Sequence, residues 1–144
     1  MDLALAEAEK AAASGEVPVG AVLVDGDTGK VLAAGHNRVE ATADPTAHAE
    51  MVVIRDASRR RGEKRLEGCD LYVTLEPCAM CAAAISFARL RRVHFAAEDP
   101  KGGAVVHGPR FFGQPTCHHR PEVYGGIGEA RAGALLRDFF KLRR

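Results

Sequence analysis

Asp70-Leu71-Tyr72-Val73-Thr74-Leu75-Glu76-Pro77-Cys78-Ala79-Met80-Cys81 changes its character halfway along, and that change decides the fold. Residues 70–75 are apolar, β-branched or aromatic enough to read as a strand. Glu76-Pro77 ends it, because proline offers no N–H to a ladder while its fixed φ suits the first turn of a helix. The helix then runs from Cys78 to about Ala88, with Cys78 and Cys81 three residues apart and therefore on one face. Both thiols fall near the helix N-terminus, where partial positive charge, and a metal if bound, would lower their pKa and favour the thiolate.

Upstream, Asp44-Pro45-Thr46 announces a second helix, from about Ala47 into Arg59-Arg60-Arg61, whose cations suit the negative end of the dipole before Gly62. His48 and Glu50 fall in its first turn. Leu3 to Ala13 places Leu3, Ala4, Ala8 and Ala11 on one face of a helix ended by Ser14-Gly15. Val17–Val24 and Lys30–Gly35, joined by the turn residues Asp25-Gly26-Asp27-Thr28-Gly29, predict a hairpin. Downstream, Arg92–Ala97 reads as a fourth strand and Pro100–Gly128 as mostly loop. Glu129–Leu142 closes the chain as a helix with Ala132, Leu135, Leu136, Phe139 and Phe140 as its core-facing stripe. The alternation of strand and helix predicts an α/β fold with a central sheet covered by helices.

The chain of 144 residues, 47% of them apolar, fits one domain, 1–144, around one core. Lys+Arg 20 against Asp+Glu 19 leaves a net charge of +1, which excludes a bulk polyelectrolyte binder and permits a locally basic face. Two such clusters exist, Arg89, Arg91 and Arg92 after the cysteine helix, and Arg137, Lys141, Arg143 and Arg144 at the end. On one face they would contact phosphates; apart, they are solubilising charge. With no basic leader and no apolar run near the roughly 18 residues of a membrane span, the expectation is a soluble, cytoplasmic chain. Its four cysteines then read as ligands or buried thiols rather than a disulfide framework.

Zinc prefers tetrahedral nitrogen and sulfur ligation, and a catalytic site offers three protein ligands so that the fourth position stays open. His48, Cys78 and Cys81 make three. Glu50, two residues past the histidine, is placed to carry protons without binding the metal. Three other readings compete. A structural zinc site needs a fourth ligand, and the remaining Cys-His cluster, Cys117-His118-His119, stands in a distant loop. A redox Cys-x-x-Cys pair leaves His48 and Glu50 without a task. A buried histidine with apolar cysteines is the usual fate of each residue taken singly, but not of all four together. Cys69 and Cys117 have no assigned task.

At His48-Ala49-Glu50 and Pro77-Cys78-Ala79-Met80-Cys81 the sequence resembles the zinc-dependent nucleoside and nucleobase deaminases of the cytidine/deoxycytidylate superfamily. Over most of its length it is similar to the bacterial tRNA adenosine deaminases, in Glu16-Val17-Pro18-Val19-Gly20-Ala21-Val22-Leu23-Val24, His36-Asn37-Arg38, Thr74-Leu75-Glu76-Pro77-Cys78, Asp99-Pro100-Lys101 and Phe139-Phe140-Lys141-Leu142-Arg143-Arg144. The resemblance implies a three-layer α/β/α cytidine-deaminase-like fold with a central mixed sheet of about five strands. It implies zinc, hydrolytic conversion of adenosine to inosine at the wobble position of an arginine tRNA anticodon stem-loop, and a homodimer. Asn37 would contact the target nucleoside, while Val17, Pro18 and Leu75 would wall the base pocket. Asp99 and Lys101 would touch flanking nucleotides, and Phe140 with Arg143 and Arg144 would supply stacking and phosphate contacts. Each has a plainer alternative: strand-end core for Val17, Pro18 and Leu75, a satisfied turn for Asn37, a solvated loop for Asp99 and Lys101, a core phenylalanine and a basic helix end for the rest. Val105–Pro121 departs from the commoner family pattern and weakens the inference about substrate size. A deaminase of a free base such as guanine or cytosine therefore stays open, as does a non-enzymatic zinc-stabilised RNA-binding subunit, against which Glu50 argues.

Overall fold

The computed structural model describes residues 1–143; Arg144, counted above with the C-terminal cations, lies outside the described residues. Strands β1 (Gly20–Asp25), β2 (Val31–His36), β3 (Cys69–Leu75), β4 (Arg92–Ala97) and β5 (Glu122–Gly125) form one sheet in the order β2-β1-β3-β4-β5. β1 runs antiparallel to β2 and β3, whereas β3, β4 and β5 are parallel. The helices are α1 (Asp2–Ala13), α2 (Val39–Thr42), α3 (Ala49–Arg61), α4 (Ala79–Ala88) and α5 (Glu129–Lys141).

The two-residue period of the strands sorts the layers. Leu71, Val73, Val93 and Phe95 turn to one face and form the main core with Val53 and Ala57 of α3 and Ala82 and Ile85 of α4. Helices α1 and α5 pack against strands of the same sheet and against each other, Leu5 meeting Ala96, Ala97 and Ala132 in a second cluster. Gly20 makes the α1 contact possible, since a Cβ there would lie 2.1 Å from the Ala4 carbonyl oxygen and 2.5 Å from the Ala8 nitrogen. The result is the expected three-layer α/β/α arrangement around a mixed sheet of five strands.

Four local expectations change. β1 begins at Gly20 rather than Val17, because Pro18 has no N–H for a ladder and the Val19 N–H folds back on the Val17 carbonyl at 2.8 Å. The segment read as loop after Pro100 contains β5, four residues at the sheet edge with little burial to give them a period. A four-residue helix, α2, was likewise too short to leave a signal. Phe140 is not core but 48% exposed, while its neighbour Phe139 is buried and meets it edge-on at 5.4 Å.

Pairing of Gly20 with His36 and of Ala21 with Val73 brings the ends of β2 and β3 and the start of β1 to the same edge of the sheet. Helices α3 and α4 both begin there, so their N-termini converge beyond the carboxyl end of β3.

Candidate active site

His48 and Cys78 occupy equivalent positions, each the extended residue that precedes a helix: φ −69, ψ 154 at the start of α3 and φ −74, ψ 177 at the start of α4. Both therefore stand one residue outside the helices in which the sequence placed them, with Glu50 and Cys81 inside the first turns. The His48 Nδ1 lies 3.5 Å from the Cys78 Sγ and 3.5 Å from the Cys81 Sγ. The three ligand atoms all fall within 4.8 Å of one another. Bonds of ~2.3 Å to sulfur and ~2.05 Å to nitrogen at a tetrahedral angle put ligand atoms ~3.6 Å apart, so one imidazole and two thiols at this spacing fit zinc and leave a fourth position open.

Without a metal the two thiols differ. Cys78 is drawn down to about 4, first by the hydrogen bond from Cys81 and, against its own burial, by His48. Cys81 moves up because it donates to the Cys78 thiolate, is fully buried and faces Glu50. A second negative charge beside the first has no compensation from the protein alone, so the full dithiolate needs a cation. The Cys78 hydrogen bond raises His48. Glu50 is buried, and desolvation holds its carboxyl above the ordinary range despite the opposing hydrogen bonds. A carboxyl so placed holds a proton more readily than an exposed one, as a group that must act as both base and acid requires.

A cavity of about 290 Å³ opens onto these groups, lined by Val17, Val19, Asn37, His48, Glu50, Leu75, Glu76, Cys78, Asp99 and Gly102. Of the residues expected to wall it, Val17 and Leu75 border the cavity, whereas Pro18 is fully buried beside it. Asn37 is buried, and its Oδ1 accepts the Ala49 N–H at 3.2 Å, capping α3 where His48 offers no side-chain cap. Its amide NH2 remains to donate to a substrate. Asp99 borders the cavity, and its carboxylate accepts the N–H groups of Lys101 and Gly102, while Lys101 stands exposed.

The two basic clusters separate. Arg91 and Arg92 lie at the opposite end of the parallel strands from the cavity, Arg91 paired with buried Asp70 at 2.8 Å and Arg92 with Glu122, while Arg89 donates to the His118 carbonyl. Arg143 lies over the Phe139 ring at 3.5 Å and within 3.9 Å of the position a Gly15 Cβ would take, two residues from cavity-lining Val17. Arg137 borders a separate hollow of about 520 Å³ beside Glu98 and Pro100.

Cys117, His118 and His119 anchor a loop. Cys117 contacts the Ser86 hydroxyl, the His119 N–H donates to that hydroxyl, and its Nε2 reaches the Leu90 carbonyl at 2.6 Å. Two residues given no role from sequence are buried carboxylates, of which Glu76 lines the cavity. Glu16 accepts the Glu40 and Ala41 N–H groups and so caps α2. Glu76 gathers the loop after Asp99. The signal for Glu76 was its place in Thr-Leu-Glu-Pro-Cys, an acid at a strand end where burial is expensive.

A histidine and two cysteines on converging helix starts, beside a buried glutamate and a small cavity, define a zinc-dependent deaminase. The chain belongs to the cytidine and deoxycytidylate deaminase family, whose zinc-binding region matches residues 1–97. Across 144 residues, all of this chain and 93% of the relative, it is 58% identical to a tRNA-specific adenosine deaminase of Agrobacterium fabrum. A solved structure from work on A-to-I editing by tRNA:A34 deaminases at the wobble position of transfer RNA superposes with a TM-score of 0.92 at 58% identity, covering 94% of this chain and 97% of that one. The guanine deaminase of Nitrosomonas europaea superposes with a TM-score of 0.78 at 25% identity, covering 96% of this chain and 81% of that one.

Proposed function

We propose that this enzyme deaminates adenosine to inosine at the wobble position of a tRNA anticodon, that of arginine tRNA. The observation that carries the proposal is that the 58% identity to a tRNA-specific enzyme runs the whole length of the chain, past the zinc-binding region into the Asp99–Lys101 loop and α5. Single-stranded RNA is usually read by splaying bases out of the stack, and a base entering this cavity leaves its neighbours beside Asp99 and Gly102. Exposed Phe140 near the end of α5, and exposed Arg143 just past that end and close to Gly15, suit stacking and phosphate contacts.

His48, Cys78 and Cys81 would hold the zinc, which would supply the Lewis acidity that makes a water nucleophilic near neutral pH. Glu50 accepts one proton from the attacking water and passes it to the ring nitrogen. It then takes the second from the hydroxyl left on the attacked carbon and gives it to the amine, which leaves as ammonia as the C–N bond breaks and the carbonyl forms. Val17 and Leu75 flank the base, and the Asn37 amide donates to the nucleoside.

The protein acts as a homodimer in the cytoplasm. Met80, Ala83, Ala84 and Phe87 fall at i, i+3, i+4 and i+7 of α4, and Phe87 is 72% exposed, an apolar stripe suited to a second copy. No helix among the described residues is long and apolar enough to cross a membrane. Phe87→Glu should turn a dimer into a monomer in sedimentation velocity; a wild-type monomer at all concentrations would refute the assembly.

Inosine formation by the zinc-loaded protein on an arginine tRNA anticodon stem-loop, beside free guanine, cytosine and adenosine, tests the substrate. Inosine in the RNA, abolished in Glu50→Ala, is expected. Ammonia from a free base with intact adenosine in the RNA would assign the enzyme to small-molecule deamination instead.

A further inference from the structure

Glu76 is a wholly buried carboxylate that the chemistry above leaves unused. Its Oε1 accepts the Asp99 N–H at 3.0 Å and the His107 Nδ1–H at 2.8 Å. Its Oε2 accepts the N–H groups of Val105, Val106 and His107 at 3.1, 3.0 and 3.2 Å. A charge taken out of water is tolerated only when such donors replace its hydration, and here all of them come from one loop. Gly103 leaves the room, since a Cβ there would stand 2.4 Å from the Glu76 carboxyl carbon. The Ala104 N–H donates to the Pro77 carbonyl at 2.9 Å, so the loop is tied to the segment that presents Cys78. The same loop carries Asp99 and Gly102 to the cavity wall.

We propose that Glu76 is the positioning residue of the loop Asp99–His107, with His107 as its latch, and that the pair sets how tightly the enzyme holds the nucleotides flanking its target. The proposal rests on the RNA substrate assigned above. Residue 107 falls in the stretch 105–121, which the sequence sets apart from the commoner family pattern.

The test uses the zinc-loaded full chain, steady-state kinetics on the anticodon stem-loop, and amide hydrogen exchange at Val105, Val106 and His107. Glu76→Gln should raise KM about tenfold, since one hydrogen bond to a charged group is worth that much, while kcat falls less and the zinc content stays the same. His107→Ala removes one partner from a side chain that is 29% exposed, so it should fold normally and raise KM about threefold, in the same direction. Gly103→Ala should reproduce the Glu76→Gln pattern without altering charge. Exchange should quicken in each variant. Unchanged exchange and KM in His107→Ala, or a loss in Glu76→Gln confined to kcat, would overturn the positioning role. Faster exchange in the variants of a protein that makes no inosine even as wild type would uphold the hold on the loop and sink the RNA assignment.

Discussion

Asn37 carries two duties that two substitutions can separate. Its Oδ1 accepts the Ala49 N–H at 3.2 Å inside a site where the side chain is 8% exposed, and that N–H belongs to the otherwise uncapped start of α3, next to the ligand His48. In Asn37→Ala the buried donor loses its partner, at a cost of about 1–3 kcal/mol. For a domain of this size that corresponds to a fall in Tm of ~4–10 °C, read by calorimetry under saturating zinc. Asn37→Asp keeps an acceptor for the same N–H and adds a negative charge at a helix N-terminus, so its Tm should stay within ~2 °C of wild type. The aspartate no longer offers an NH2 to the substrate, so its kcat/KM on the stem-loop should drop about tenfold, the worth of one hydrogen bond. An Asn37→Ala protein as stable as wild type would refute the capping role. Full activity in Asn37→Asp would refute the contact with the nucleoside.

Glu50→Gln should retain a full complement of zinc by metal analysis while deamination falls about 10²–10⁴-fold, as loss of a positioned proton carrier demands; parallel loss of zinc would make Glu50 a ligand. The first basic cluster is structural, so Arg91→Ala should cost about 1–3 kcal/mol in urea unfolding, less than a fully buried pair because Arg91 is 32% exposed, and leave KM for the stem-loop unchanged. Arg143→Ala should do the reverse, raising KM and weakening its dependence on salt. Burial works to raise Glu7, yet the bond to His36 at 2.8 Å and the one to Lys10 hold its carboxyl below the ordinary 4.5. A folded pKa below the unfolded one stabilises at pH above the unfolded value and is lost as the pH falls through the folded one. The stability gap between wild type and Glu7→Gln should therefore be full at pH 7 and close below about pH 4.5. A gap that persists at pH 3 would show that the pair contributes through packing alone.

What could be read directly were the elements with enough length to show a period and the residues with enough chemistry to need one another. The strand-proline-helix unit around Pro77 was legible, because a β-branched run cannot continue through a residue without an N–H. β5 and α2, four residues each, could not be read, since neither carries a core face of its own. Phe140 was misplaced because Phe139 and Phe140 are adjacent on a helix, and a one-residue rotation of α5 decides which is buried. The unequal thiols escaped notice because each cysteine alone at a helix N-terminus predicts a lowered pKa, and only their contact makes one hold the proton of the other.

By itself the sequence determined the chemistry: His48, Glu50, Cys78 and Cys81 are short-range pairs whose spacing reflects helix starts, and ligand type dictates the metal. Tertiary structure alone decided what surrounds that chemistry. The register between β1, β2 and β3 carries Val17 and Asn37 to the cysteines, pairs Arg91 with Asp70 far from the cavity, and folds the Asp99–His107 loop onto Glu76. Those contacts join residues tens of positions apart, and a buried charge finds its partners by packing, which no local pattern encodes.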